Sequence, residues 1–149
     1  VGLSLEVVPL LHPENKKRWN QFDDIVGGTP LLVDQKNLIT DFSSEKTRIP
    51  FLEDRHSRTA IGIKANGNLL FVVVDGRQPN ISIGMTMHEL AQYMFDLGAF
   101  SALNLDGGGS STMYLNGRVI NDPASGEDDN KAEGEERAVS DAILIFTKE

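Results

Sequence analysis

Apolar residues in this chain come in short runs punctuated by turn residues, with one segment of helical period. Leu31-Leu32-Val33 and Leu38-Ile39 flank a polar turn from Asp34 to Asn37, the pattern of a small hairpin. Residues 59–64 and 68–74 form two strand-like runs around Asn66-Gly67, a pair that tolerates positive φ and predicts a tight type I′ turn. The run 69–74 is continuously apolar and β-branched towards its end, which predicts a central strand buried on both faces. Residues 102–105, 111–115 and 118–120 read as further strands, the last two joined by a second Asn-Gly pair, and 142–146 reads as a closing strand. The polar stretch 41–57 between these runs reads as a long, exposed connection.

The helical segment begins at Thr86, whose hydroxyl can cap, with Glu89 three residues on to complete a capping box. Met85 and Leu90 stand where a hydrophobic staple would place them. Met87, Leu90, Ala91, Met94 and Leu97 make one apolar stripe, and Gly98 supplies the stop. Strand, helix and strand from 69 to 105 predict a parallel crossover, whereas the hairpins are antiparallel. The expected fold is therefore α+β: a mixed, mainly antiparallel sheet with few packing helices.

Composition narrows the function classes. The 149 residues suit one domain or part of one. The absence of cysteine removes disulfide frameworks, thiolate metal sites and cysteine nucleophiles. A formal charge of -8 argues against nucleic acid as a partner, and no stretch reaches the roughly 20 apolar residues of a membrane span. Residues 127–137 hold six acidic and two basic residues, so half of the net charge falls there, and 127–136 reads as an acidic exposed loop. The opening residues begin without Met in mid-strand pattern and lack a signal peptide's basic and long apolar regions. The expectation is a single domain over 1–149 that is the C-terminal part of a larger one, with a missing N-terminal segment as its partner.

The stretch with the most chemistry is Asp106-Gly107-Gly108-Gly109-Ser110-Ser111, directly after an apolar strand. Three glycines are entropically costly to order, and they are expected where backbone must approach something closely. Their successive amides can form an anion-binding nest, with Ser110 and Ser111 adding hydroxyl donors. Asp75 ends the preceding strand as Asp106 ends this one. Two carboxylates at one sheet edge can divide acid and base roles, or hold one divalent cation through hard oxygens. Arg58, Arg77 and Arg137 are the candidate anion clamps, with Arg58 favoured for the pocket. The three histidines make no ligand cluster and a zinc site is not expected.

Val73-Val74-Asp75-Gly76-Arg77, Gly84-Met85-Thr86 and Asn104 to Thr112 resemble motifs of the phosphodiester glycosidase domain family. Gly27 to Val33, Arg58-Thr59-Ala60-Ile61-Gly62 and Glu136 to Ala142 match it in the same order, so the resemblance covers 25–146. It implies a hydrolase that cleaves the glycosidic bond of a sugar-1-phosphodiester, with that sugar phosphate as substrate. It also implies Asp106 and Asp75 as catalytic or metal-binding groups, and Arg58, Arg77, Gly107, Gly108, Gly109, Ser110, Ser111 and Arg137 as the substrate site. No cofactor is required, with Ca²⁺ or Mg²⁺ left open, and the implied location is extracellular or the cell envelope. The chain departs from the family at Thr29, where another glycine is frequent, in its longer acidic stretch, and in beginning after a segment with further site residues. The alternative reading is a catalytically inactive sugar-phosphate binding module, or an assembly domain of a larger surface protein.

Overall fold

The computed structural model describes residues 25–123 and 137–146. In chain order the elements are β1 (Leu31–Asp34), β2 (Asn37–Leu38), α1 (Ile49–Glu53), β3 (Arg58–Lys64), β4 (Leu69–Val74), α2 (Met87–Asp96), β5 (Ala99–Asn104), β6 (Tyr114–Leu115) and β7 (Arg118–Val119). The first five strands make one sheet in the order β2-β1-β5-β3-β4, and β6 and β7 form a separate ribbon. Every neighbouring pair is antiparallel. This is the α+β fold with a mainly antiparallel sheet that the pattern predicts.

Helix α2 forms where the capping box places it. Thr86 Oγ1 accepts from the Glu89 amide, and the Glu89 carboxylate accepts from the Thr86 amide. Its stripe of Met87, Leu90, Ala91 and Met94 is fully buried against Leu32, Val33, Ala60 and Ala102 of the sheet. Gly62 of β3 leaves room for the Met94 side chain: a Cβ there would stand 2.8 Å from the Met94 methyl. The opposite sheet face carries Leu31, Ile61, Ile63, Leu69, Phe71 and Leu103, aligned by register across four strands and half-buried or exposed.

Several expectations are corrected. Strand β4 is the outer strand of the sheet among the described residues, and Leu69 is 56% exposed. A continuous apolar run reports what its side chains require, not how many strands lie beyond it. β4 and β5 do run parallel, but β3 lies between them. The β3–β4 turn is a three-residue loop in which the Gly67 amide bonds Lys64 O and only Gly67 takes positive φ, so it is a type I turn with a glycine bulge. The Asn116-Gly117 turn does have positive φ at both residues, as a type I′ turn needs.

The connection 41–57 is exposed over much of its length, yet it buries Phe42 in the core and contains α1. The strand read at 111–115 is reduced to Tyr114–Leu115. Residues 142–146 form no strand and are exposed, because no described strand edge pairs with them. The acidic loop 127–136 and the chain's opening residues lie outside the described residues.

Candidate active site at the strand ends

Antiparallel pairing brings the end of β4, the start of β3 and the end of β5 to one edge of the sheet, with Arg58 opposite Val74 and Ala60 opposite Asn104. The segments 75–77, 56–58 and 105–111 therefore meet there. Their backbones pack too closely for side chains. A Cβ on Gly107 would stand 2.8 Å from Ser57 O, and one on Gly84 would overlap the His56 carbonyl. The Ser57 carbonyl accepts from the Gly108 amide at 2.9 Å, fixing the glycine turn to the start of β3.

The turn itself differs from an open nest. Gly108 takes φ +59 and begins a short 3-10 turn, Gly108–Ser110. The Gly107 amide donates to Asp106 Oδ1 at 2.9 Å, Gly108 to Ser57 O, Ser110 to Gly107 O and Ser111 to Gly108 O. Of the five amides from 107 to 111, the Gly109 N–H alone has no acceptor among the described residues. Of the expected wall of three glycine amides one N–H is left, because the Asp106 carboxylate takes the Gly107 amide and the Ser57 carbonyl takes the Gly108 amide. Ser111 is fully buried: its hydroxyl accepts from Thr59 Oγ1 at 3.1 Å and its carbonyl accepts from Asn121 Nδ2 at 2.8 Å.

The three arginines separate into different roles. Arg58 is 2% exposed and donates to the carbonyls of Met85, Phe51 and Asp54, each at 2.9 Å, with its guanidinium over the Phe51 ring. Burial, and secondarily the positive charge of Arg77, lower its pKa to about 10. Arg58 thereby ties α1 and the approach to α2 to the sheet as an internal clamp. Arg77, with φ +61, lays its guanidinium against Gly108, about a van der Waals contact from where a Cβ would be. Arg137 donates to Ser110 Oγ and lies 3.6 Å from Asp106 Oδ2. Two guanidinium groups thus meet one turn.

The two aspartates also part. Asp106 projects with its side chain 81% exposed beside Arg137. Asp75 is half-buried; its Oδ1 accepts from Asn121 Nδ2 at 2.8 Å and both its oxygens lie 3.1 Å from the Asp122 amide. Asp75 thereby anchors the segment after β7. Among the described residues no group of three or more His, Asp or Glu side chains could hold a metal ion.

His56, Gln78 and Asn121 were not expected at the site. His56 Nδ1 accepts from Arg77 Nε at 3.3 Å and is 3.2 Å from Arg77 Nη2. Gln78 is buried and donates to Asp122 O. Asn121 reaches the site because the Asn116-Gly117 hairpin returns it beside Met113, whose amide donates to Asn121 Oδ1 at 2.7 Å. That hairpin was the one signal that could have placed Asn121.

The phosphodiester glycosidase family model matches residues 4–146. The chain belongs to the phosphodiester glycosidase family. It is 37% identical over 94 residues to YomE, a prophage-derived protein of Bacillus subtilis, covering 63% of this chain and 13% of YomE. It is 36% identical over 74 residues to the human N-acetylglucosamine-1-phosphodiester alpha-N-acetylglucosaminidase, covering 50% of this chain and 14% of that enzyme. Among solved structures, the catalytic domain of the zebrafish enzyme of that name superposes with a TM-score of 0.64 at 28% identity, over 76% of this chain and 39% of that one. A Synechocystis protein superposes with a TM-score of 0.61 at 36% identity, over 70% of this chain and 19% of its own. The chain therefore spans about one seventh of the length of these two relatives, YomE and the human enzyme.

Proposed function

We propose that this phosphodiester glycosidase chain carries the phosphate-facing edge of an active site that hydrolyses the glycosidic bond of a sugar-1-phosphodiester. What supports the reading most is the convergence of Arg77 and Arg137 on the turn Gly108–Ser110, beside the exposed carboxylate of Asp106. The leaving phosphodiester gains negative charge as the C–O bond breaks, and two guanidinium groups and the Ser110 hydroxyl are the donors available to stabilise it. The anomeric carbon gains oxocarbenium character, and Asp106 would activate water or stabilise that charge. Asp75 would support this set by holding the 121–122 segment in place, in exchange for the acid–base partnership expected of it. The proposed reaction includes no required cofactor, and chelation tests whether Ca²⁺ or Mg²⁺ takes part. An extracellular or envelope location is part of the same proposal.

The test is release of free sugar from a series of sugar-1-phosphodiesters by the chain and by Asp106→Asn. The substitution is nearly isosteric and should lower turnover by at least about a hundredfold, the lower range for a removed acid–base group, with the fold intact by circular dichroism. Dialysis against EDTA should leave turnover unchanged. Sugar phosphate binding by both proteins with turnover by neither would favour the binding-module reading.

A further inference from the structure

We propose that His56 is a positioning residue: its imidazole holds the Arg77 guanidinium against the glycine turn for an anion, in the place where a carboxylate would ordinarily hold an arginine. The proposal rests on the reading of Arg77 as a phosphate ligand. The imidazole Nδ1 receives Arg77 Nε at 3.3 Å and faces Arg77 Nη2 at 3.2 Å. Both groups on the guanidinium are donors, so Nδ1 is the nitrogen that presents its lone pair to them.

The chemistry of this choice matters. No carboxylate among the described residues lies within ion-pair distance of Arg77; the two ion pairs there are Arg55–Glu89 and Arg137–Asp106. A carboxylate would fix the guanidinium but would also neutralise it and compete with an incoming phosphate. An imidazole lone pair fixes the orientation without bringing a negative charge to the guanidinium. That charge is felt nearby, since Arg77 contributes to the lowered pKa of buried Arg58.

The backbone keeps His56 in position from two sides. His56 and Met85 exchange backbone hydrogen bonds at 3.1 and 3.3 Å, and Gly76 and Gly84 pack directly on the peptide of His56. Arg77 follows Gly76 and takes a left-handed φ of +61, a conformation few arginines adopt, which turns its side chain towards Gly108. Imidazole and guanidinium are therefore presented to each other by two constrained backbones.

The experiment compares binding of inorganic phosphate, by calorimetry or NMR titration, and sugar release by the full chain and three variants. Arg77→Ala should weaken phosphate binding at least tenfold. His56→Leu, which lacks an acceptor, should weaken it at least fivefold and raise KM more than it lowers kcat. His56→Asn, whose side-chain oxygen can take the Nδ1 position, should stay within about twofold of the unsubstituted chain. Full phosphate binding by His56→Leu alongside weak binding by Arg77→Ala would overturn the positioning role and leave the site reading standing. Equal losses in the Leu and Asn variants would assign His56 a packing role only. Undiminished binding by Arg77→Ala would remove the site reading itself. Nitrogen NMR of the unsubstituted chain provides a measurement independent of variant folding: His56 Nδ1 should be the unprotonated nitrogen at neutral pH, and a protonated Nδ1 would overturn the proposal.

Discussion

Arg58 and Arg77 bear the same charge and end up in opposite circumstances. Arg58 lies beneath the site with three carbonyls as acceptors, whereas Arg77 lies on the turn with an imidazole. Removing Arg58 leaves those carbonyls without their donor inside the protein. Arg58→Ala should therefore lower stability by about 3 kcal/mol, the upper range for leaving buried polar groups unsatisfied, measured by urea denaturation. Arg58→Lys should recover only part of this, because one ammonium cannot reproduce the planar fork. The depressed pKa of Arg58 works in the other direction: its folded value near 10 lies below its ordinary value, so burial of this charge opposes folding at neutral pH. That opposition should fade as pH rises through 10. Gly84 is the other sensitive residue, with positive φ and the His56 carbonyl where a Cβ would go. Gly84→Ala should cost about 2 kcal/mol or more, combining conformational strain with displaced backbone, and a lowered midpoint in thermal denaturation would register it.

Among the elements, α2 is the one whose limits are encoded most locally. Its first turn is closed by Thr86 and Glu89, and Arg55 adds bonds to the Gly84 carbonyl and the Glu89 carboxylate. Thr86→Ala should cost about 1 kcal/mol, the usual value of such a cap, in chemical denaturation. The Thr86 amide, with Arg55 as a lesser influence, holds the Glu89 carboxyl below its ordinary pKa. A depressed carboxylate contributes stability above the ordinary value of about 4.3 and loses it as pH falls through the folded value. Acid titration of the helix signal should show that loss, and Glu89→Gln should abolish its pH dependence there. The turns were less uniform. Asn116-Gly117 behaves as its residue types dictate, while Asn66-Gly67 opens into a longer loop. Gln35 and Lys36 both take positive φ without either favourable side chain, because Lys36 N bonds Phe100 O and Gln35 N bonds Ser101 Oγ on β5. A tertiary contact outweighs the residue preference there.

In the whole molecule, the sheet and α2 share one core, and Met94 is its meeting point: fully buried on the helix and seated over Gly62 on β3. Met94→Ala should lower stability by about 3 kcal/mol, within the range for large-to-small core changes, and a single unfolding transition seen alike by helix and aromatic signals would show that both layers unfold together. Much of this architecture was legible in the chain. The spacing of capping and apolar residues specifies α2, alternating runs and turn residues specify most strands, and ordered motifs specify the phosphodiester glycosidase family, because each depends on residues near one another in sequence. The tertiary structure decided the remainder. Which arginine is buried, that the glycine amides turn inward, that His56 meets Arg77, that β4 lies outermost and that 142–146 pairs with nothing described all depend on which distant segments meet. Local spacing sets backbone geometry through short-range sterics and hydrogen bonds. The environment of a side chain is set by neighbours that the sequence does not order.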